Sequence, residues 1–188
     1  MSRPPNSLEK ALIAIGCGCL TAVGISLANA ESFQLSAGRA LDRQLAPTLT
    51  DGSRPGAGSA VDHGLVGRLE IPRLHLSVMV MEGDDDATLA RAVGHVPGTA
   101  LPWETGNAVM AGHRDTFFRP LKNLRSGDEI RMTTPRGTFN YRVVRTEIID
   151  PDDVSVLAPM PNRSLTLVTC YPFAYVGPAP QRFIVQAR

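Results

Sequence analysis

Residues 165–187 read LTLVTCYPFAYVGPAPQRFIVQA, in which two apolar, strand-like segments flank a loop rich in proline and glycine. The pattern predicts two strands. If they pair antiparallel, Cys170 and Arg182 lie across a gap of about 5 Å between the strands. Cys170 is then a candidate nucleophile, because a nearby positive charge favours the thiolate form of a cysteine. The alternatives are a small buried cysteine and a solvated arginine at a strand end.

The remainder of the chain from residue 65 also favours β-structure. Residues 130–134 and 139–143 alternate on either side of the turn Pro135-Arg136-Gly137, which predicts a hairpin. Residues 74–80 also alternate, and residues 107–112 read as a short buried strand. Asp86 is predicted to cap a short helix that runs through Val93. Many short strands with one or two short helices indicate an all-β fold, either a closed barrel or a sandwich.

The N-terminal part contains an apolar stretch of membrane-spanning length. Residues 11–28 read ALIAIGCGCLTAVGISLA and carry no charge. Eighteen helical residues span about 27 Å, close to the thickness of a bilayer core. We expect a membrane anchor with a cytoplasmic N-terminus and the domain on the extracytoplasmic side. The alternative is a cleaved signal sequence, since Ala28-Asn29-Ala30 resembles a signal-peptidase site.

These observations divide the chain into four parts. We expect a cytoplasmic tail at 1–10, a transmembrane signal anchor at 11–30, an extracytoplasmic spacer at 31–62 and a catalytic domain at 63–188. Residues 31–42 can continue as helix, and the spacer is predicted because prolines and glycines interrupt any pattern between residues 47 and 58. The formal net charge of +1, with mixed signs along the chain, gives no indication of a nucleic-acid partner.

Cysteine and histidine positions narrow the candidate chemistry. Cys17 and Cys19 fall inside the apolar run, so Cys170 has no disulfide partner in an exported domain. Acyl transfer by a thiol also needs a proton donor, for which imidazole is suited. The other three histidines are assigned to the surface or to a structural hydrogen bond; they are His63, His75 and His95. His113 is preferred because it follows a predicted buried strand.

Several segments together resemble the sortase family. Residues 165–173, LTLVTCYPF, are similar to its Thr-Leu-x-Thr-Cys signature, and residues 111–118, AGHRDTFF, to its histidine segment. Residues 94–100, GHVPGTA, and 175–183, YVGPAPQRF, resemble the class D branch. The resemblance implies a closed eight-stranded β-barrel, a membrane anchor and no cofactor. It also implies that Cys170 is the nucleophile, His113 the general acid and base, and Arg182 the residue that stabilises the oxyanion.

The resemblance further implies transpeptidation. A sorting signal of the Leu-Pro-x-Thr-Gly or Leu-Pro-x-Thr-Ala type would be cleaved through a thioester, and the protein carrying it transferred to an amine at the cell envelope. No metal site is expected: residues 84–86, three aspartates, are interpreted as a solvated turn with a helix cap. The alternatives are a cysteine endopeptidase that uses water, a thiol redox protein, and an anchored β-barrel that only binds envelope components.

Overall fold

The computed structural model describes residues 6–46 and 64–188, and in this part of the chain eight strands close into one barrel with the order β1-β2-β3-β4-β7-β8-β6-β5. The predicted closed eight-stranded barrel is confirmed. The strands are β1 (Leu65–Ile71), β2 (Leu76–Glu82), β3 (Val93–His95), β4 (Asn107–Ala111), β5 (Glu129–Thr134), β6 (Gly137–Ile149), β7 (Ser164–Tyr171) and β8 (Gln181–Ala187). The α-helices are α1 (Ser7–Leu45) and α2 (Asp86–Leu89), and short 3-10 helices span Pro72–Leu74, Arg119–Asn123 and Ser155–Leu157.

Two of the strand pairs in the barrel are parallel, namely β2 with β3 and β4 with β7. The remaining neighbours pair antiparallel. Parallel neighbours end at the same edge of a sheet, so the residues that follow β4 and β7 emerge side by side.

Alternate side chains of each strand fill the barrel, as closure requires. In β7 the inward residues are Leu165 and Leu167, and in β8 they are Val185 and Ala187. Aliphatic, methionine and aromatic side chains from the other strands complete this core. The hairpin predicted from residues 130–143 is formed by β5 and β6, with Thr134 opposite Gly137 at the turn.

The predicted helix from Asp86 through Val93 is wrong in extent and in its cap. Helix α2 ends at Leu89, and its N-cap is Asp85, whose carboxylate accepts hydrogen bonds from the backbone amides of Ala87 and Thr88. Hydrogen bonds from Thr88 hold the pKa of the Asp85 carboxyl below its ordinary value. Val93 instead begins β3, because pairing with β2 satisfies its backbone.

Helix α1 runs without a break from Ser7 to Leu45, and it is the one helix of the described residues that is long and apolar enough to cross a membrane. Residues 31–45, the first part of the region expected at 31–62 as a spacer, belong to this helix, and the sequence allows such a continuation through residue 42. The prolines and glycines on which the spacer rests lie at 47–58, and they fall outside the described residues together with His63.

The C-terminal third of α1 packs on the barrel beside β1 and β2. Leu41 is fully buried against a cluster that includes Met79 and Met81. The Gln34 side chain accepts a hydrogen bond from the Met79 amide at 2.7 Å, and it donates to the carbonyl of Arg91, also at 2.7 Å. The helix is thus attached to the barrel by apolar burial and by directional hydrogen bonds.

We expect Leu41→Ala to lower the free energy of unfolding of the barrel by about 2–5 kcal/mol, the usual cost of truncating a buried leucine. The matched control is Leu35→Ala on the same helix, where the side chain is 55% exposed and where a change within about 0.5 kcal/mol is expected. Denaturant titration of the full chain in detergent, followed by the fluorescence of the single tryptophan, Trp103, measures both. Equal effects of the two substitutions would show that α1 does not stabilise the barrel.

Candidate active site

The ends of β4 and β7 are held together by backbone and side-chain hydrogen bonds. Ala111 pairs with Val168, and the amide of Gly112 donates to the Val168 carbonyl at 3.1 Å. The hydroxyl of Thr169 donates to the Gly112 carbonyl at 2.7 Å. Each chain continues by one residue beyond this contact. The register therefore brings His113 and Cys170 to neighbouring positions at one edge of the barrel.

The next strand adds the arginine. Strands β7 and β8 pair antiparallel, with Cys170 directly opposite Arg182, as the sequence predicts. Directly opposite residues of an antiparallel pair have Cβ atoms about 4.5–5.5 Å apart on the same face. Strands β7 and β8 thus supply Cys170 and Arg182, and His113 lies two residues beyond the end of the neighbouring strand β4.

Cys170 and Arg182 belong to the outer face of the barrel. Because Leu165 and Leu167 point inward, the alternation places Cys170 outward. His113 lies two residues beyond Ala111, the last residue of β4, so it takes no part in this alternation. Cys170 and Arg182 are half-buried, whereas His113 is exposed. A substrate lying against the outside of the barrel can therefore reach the thiol.

The guanidinium of Arg182 retains free donors. Its Nη1 donates to the carbonyls of Ala179 and Gln181 at 3.2 and 3.1 Å. Toward the residues that the structure describes, Nε and Nη2 make no hydrogen bond, and no carboxylate lies within ion-pair distance. The charge is not neutralised by a neighbour, so it is available to an anion that forms beside Cys170.

The backbone around His113 is fixed by local contacts. The His113 carbonyl accepts a hydrogen bond from the amide of Phe118 at 3.1 Å. Phe118 is fully buried, and its ring lies directly against Gly112. A Cβ atom at Gly112 would come within 2.7 Å of that ring, so only glycine fits this close approach. The segment that carries His113 is thereby attached to the core although its imidazole is exposed.

The other histidines occupy different environments. His95 is 2% exposed; its Nδ1 lies 2.8 Å from the carboxylate of Glu82 and its Nε2 3.0 Å from the carbonyl of Ala100. Both ring nitrogens are thus engaged in structural hydrogen bonds, as expected for this residue. His95 ends β3 rather than occupying a turn. His75 is exposed, and it lies in a left-handed backbone conformation after a 3-10 helix instead of within a strand.

Arg114 is a residue near the site that the sequence analysis did not select. It directly follows His113, yet its side chain is 6% exposed. Its Nη1 donates to the carbonyl of Pro172 at 2.9 Å, and its Nη2 to that of Gly177 at 3.3 Å, so it contacts the loop between β7 and β8. The sequence signal available was its position beside the candidate histidine.

Within residues 6–46 and 64–188, no group of three His, Cys, Asp or Glu side chains is arranged to hold a metal ion. Of the three aspartates at 84–86, Asp85 is engaged as the cap of α2. Cys17, Cys19 and Cys170 are free thiols.

Comparison with known proteins finds, over most of the barrel, the same family that the sequence motifs resemble. The family model described as "Sortase domain" matches residues 69–188. Sortase D of Bacillus subtilis (strain 168) is 42% identical over 123 residues, which are 65% of this chain and 62% of that protein. Sortase A of Listeria monocytogenes serovar 1/2a (strain ATCC BAA-679 / EGD-e) is 29% identical over 119 residues, 61% of this chain and 53% of that protein. The chain thus aligns with less than two thirds of the length of either relative.

A solved structure extends the likeness to three dimensions. The Sortase D5 transpeptidase of Clostridium perfringens superposes with a TM-score of 0.70 at 25% identity, covering 84% of this chain and 98% of that one. The class D resemblance of the loop segments agrees with this neighbour and with the Bacillus relative. Because the family model covers more than half of the chain, and the fold agrees with it, this chain belongs to the sortase family.

Proposed function

We propose that the chain is a membrane-anchored cysteine transpeptidase in which Cys170 is the nucleophile, His113 the general acid and base, and Arg182 the oxyanion-stabilising residue. The observation that carries the proposal is the register of β4, β7 and β8, which pairs Cys170 with Arg182 and brings the end of β4, two residues before His113, beside β7. A thiol, an imidazole and an unneutralised guanidinium are the groups that acyl transfer requires.

In the first half-reaction the thiolate of Cys170 attacks the carbonyl carbon of the scissile peptide bond. The carbonyl oxygen becomes an oxyanion, and the free Nε and Nη2 donors of Arg182 stabilise it. The C–N bond then breaks, and the protonated His113 donates a proton to the departing amine. The product is a thioester between Cys170 and the N-terminal part of the substrate.

In the second half-reaction an amine replaces the thiol. His113, now neutral, removes a proton from the incoming amine as it attacks the thioester carbonyl. The tetrahedral intermediate collapses, an amide bond forms, and the Cys170 thiolate leaves. The overall reaction exchanges one amide for another, so no oxidant or cofactor is consumed.

The substrate that we propose is an extended peptide lying along the outer face of β4 and β7. Ala111 and Val168 are paired with each other, and both are half-buried. They lie two residues before His113 and Cys170, respectively. Small apolar side chains allow a peptide backbone to lie close to a strand surface. A sorting signal of the Leu-Pro-x-Thr-Gly or Leu-Pro-x-Thr-Ala type fits the proposal, with a cell-wall peptide or a protein lysine as the amine acceptor.

We place the protein in the cell membrane as a single-pass protein with the barrel on the extracytoplasmic side. Support comes from the apolar character of α1, because the hydrophobic segment of this helix is not covered by any other part of the described structure. Such a surface is stable when it contacts lipid. The barrel would then act on secreted proteins while they are held near the same membrane.

The second candidate function is a cysteine endopeptidase, because the same thioester can react with water. The exposed position of His113 favours this candidate, because water can reach the imidazole. Product analysis separates the two: at high concentrations of amine, a transpeptidase yields the amine adduct, and an endopeptidase only the hydrolysed peptide. A redox protein would instead form a disulfide at Cys170, and a binding module would form no covalent adduct.

We expect Cys170→Ala to abolish transpeptidation of a sorting peptide while leaving the fold intact. The side chain lies on the outer face, so its truncation should change the free energy of unfolding by less than about 1 kcal/mol. Cys17→Ser and Cys19→Ser are the matched controls, and both should retain activity. Mass spectrometry of the protein after incubation with the peptide should show the thioester in the controls only. Acyl transfer by the Cys170→Ala protein would refute the assignment.

The two candidate histidines should respond differently to substitution by alanine. His113→Ala is expected to lower kcat/KM by at least about 10²-fold, the usual contribution of a general acid and base. His95→Ala should retain more activity but lower the free energy of unfolding by about 1–3 kcal/mol, since buried hydrogen bonds are lost. Peptide cleavage assays and denaturant titrations measure the two effects. An active His113→Ala protein with an inactive, folded His95→Ala protein would move the proton-transfer role to His95.

Arg182 permits charge and geometry to be separated. Arg182→Lys keeps the charge but loses the planar set of donors, so an oxyanion role predicts a loss of about 10²–10³-fold in kcat even in this variant. If the charge only favours the thiolate, Arg182→Lys should be nearly as active as the wild type, and Arg182→Ala should shift the pH profile of iodoacetamide labelling at Cys170. Cleavage rates and labelling profiles of the three proteins decide between the roles. Normal turnover by Arg182→Ala would remove this residue from the site.

A further inference from the structure

Arg114 joins the segment after β4 to the loop between β7 and β8, residues 172–180. One guanidinium nitrogen donates to the carbonyl of Pro172 and the other to that of Gly177, at 2.9 and 3.3 Å. The guanidinium carbon also lies 5.9 Å from the centre of the Tyr175 ring. A single side chain thus contacts the beginning, the middle and the later part of the loop.

The loop has few other means of keeping its shape. Ala174 to Pro178 are exposed, and Val176 is 95% exposed. Within the loop, the amide of Tyr175 donates to the carbonyl of Pro172 at 3.3 Å. Phe173 packs against the core at the end of the loop next to β7, and Arg182 donates to the Ala179 carbonyl at the end next to β8. The conformation of the exposed part therefore depends on the bonds from Arg114.

The placement of Arg114 is costly in free energy. Its side chain is 6% exposed, and its ion pair with Asp115 is long at 3.3 Å to a carboxylate that is 69% exposed. Burying a cation with a weak counter-charge is unfavourable unless several hydrogen bonds compensate. The carbonyls of Pro172 and Gly177 supply this compensation, so loop and arginine stabilise one another only in the observed arrangement.

We propose that Arg114 is a positioning residue for transpeptidation, which ties the segment carrying His113 to the β7–β8 loop and so keeps His113 correctly placed relative to Cys170 and Arg182. The inference rests on the proposed function. Arg114 is adjacent to His113 in the chain, and the loop connects the strand ends that carry Cys170 and Arg182. Its two hydrogen bonds therefore connect all three catalytic segments. Strand pairing fixes Cys170 opposite Arg182, whereas His113 lies two residues beyond the last paired residue of β4.

The test compares Arg114→Lys and Arg114→Met with the wild type in the full chain. The ammonium group of lysine lacks the rigid, planar donors with which the guanidinium reaches both carbonyls, and methionine has no donor at all. Both variants should therefore be impaired. We expect kcat for peptide cleavage to fall by about 10²-fold in Arg114→Met, as for a misplacement near 1 Å, with a smaller change in KM. Hydrogen exchange of the amides in residues 172–180 should accelerate, while that of the barrel strands should not.

Arg163→Met is the matched control. Arg163 also donates to two carbonyls, those of Trp103 and Glu104, and lies 4.9 Å from the centre of the Phe139 ring. It lies before β7, at the opposite end of that strand from Cys170, so its loss should leave kcat and loop exchange unchanged. Wild-type kcat in Arg114→Met, or loop exchange equal to that of Arg163→Met, would overturn the proposal. An inactive wild type would instead refute the proposed function, and with it the positioning role.

Discussion

The register of three neighbouring strands is the constraint on which the site depends. Side chains alternate along a strand, so a shift of one residue in β7 would turn Cys170 into the barrel and bring Thr169 outward. The core prevents this shift, because Leu165 and Leu167 would leave it at the same time. The hydrogen bond from Thr169 to the Gly112 carbonyl fixes the last step before the catalytic edge. Apolar packing along the strand thus determines which side chains reach the substrate.

Beyond the strand ends, the segments are held in place by hydrogen bonds and close packing instead of strand pairing. The approach of Phe118 to Gly112 fixes the segment after β4, and Arg114 connects that segment to the β7–β8 loop. Helix α1 packs elsewhere, against β1 and β2, with Leu41 buried there. Helix α1 and the candidate site therefore use different faces of the barrel. The outer face of β4 and β7 has no contact with the helix among the interactions described, and an extended peptide can lie on it.

Strand alternation and turn residues were sufficient to predict the hairpin of β5 and β6 and the facing positions of Cys170 and Arg182. Local signals failed where tertiary contacts decide the outcome. Val93 and His95 lie in a strand because β2 and β4 pair with them, a contact that helix-capping signals do not report. The packing of the end of α1 against Met79, which is distant in sequence, is likewise a contact that no local signal reports.

The sequence by itself determined the class of fold, the apolar N-terminal helix and the three candidate catalytic residues, because periodicity, turn residues and short motifs are local properties of the chain. The tertiary structure decided which strands and loops lie next to one another. It brought the end of β4, which His113 follows, beside the strand that carries Cys170, through a parallel pairing between strands more than fifty residues apart for which no local signal exists. It also buried Arg114 rather than exposing it, since that outcome depends on carbonyls of a distant loop that only the closed barrel brings within hydrogen-bond distance.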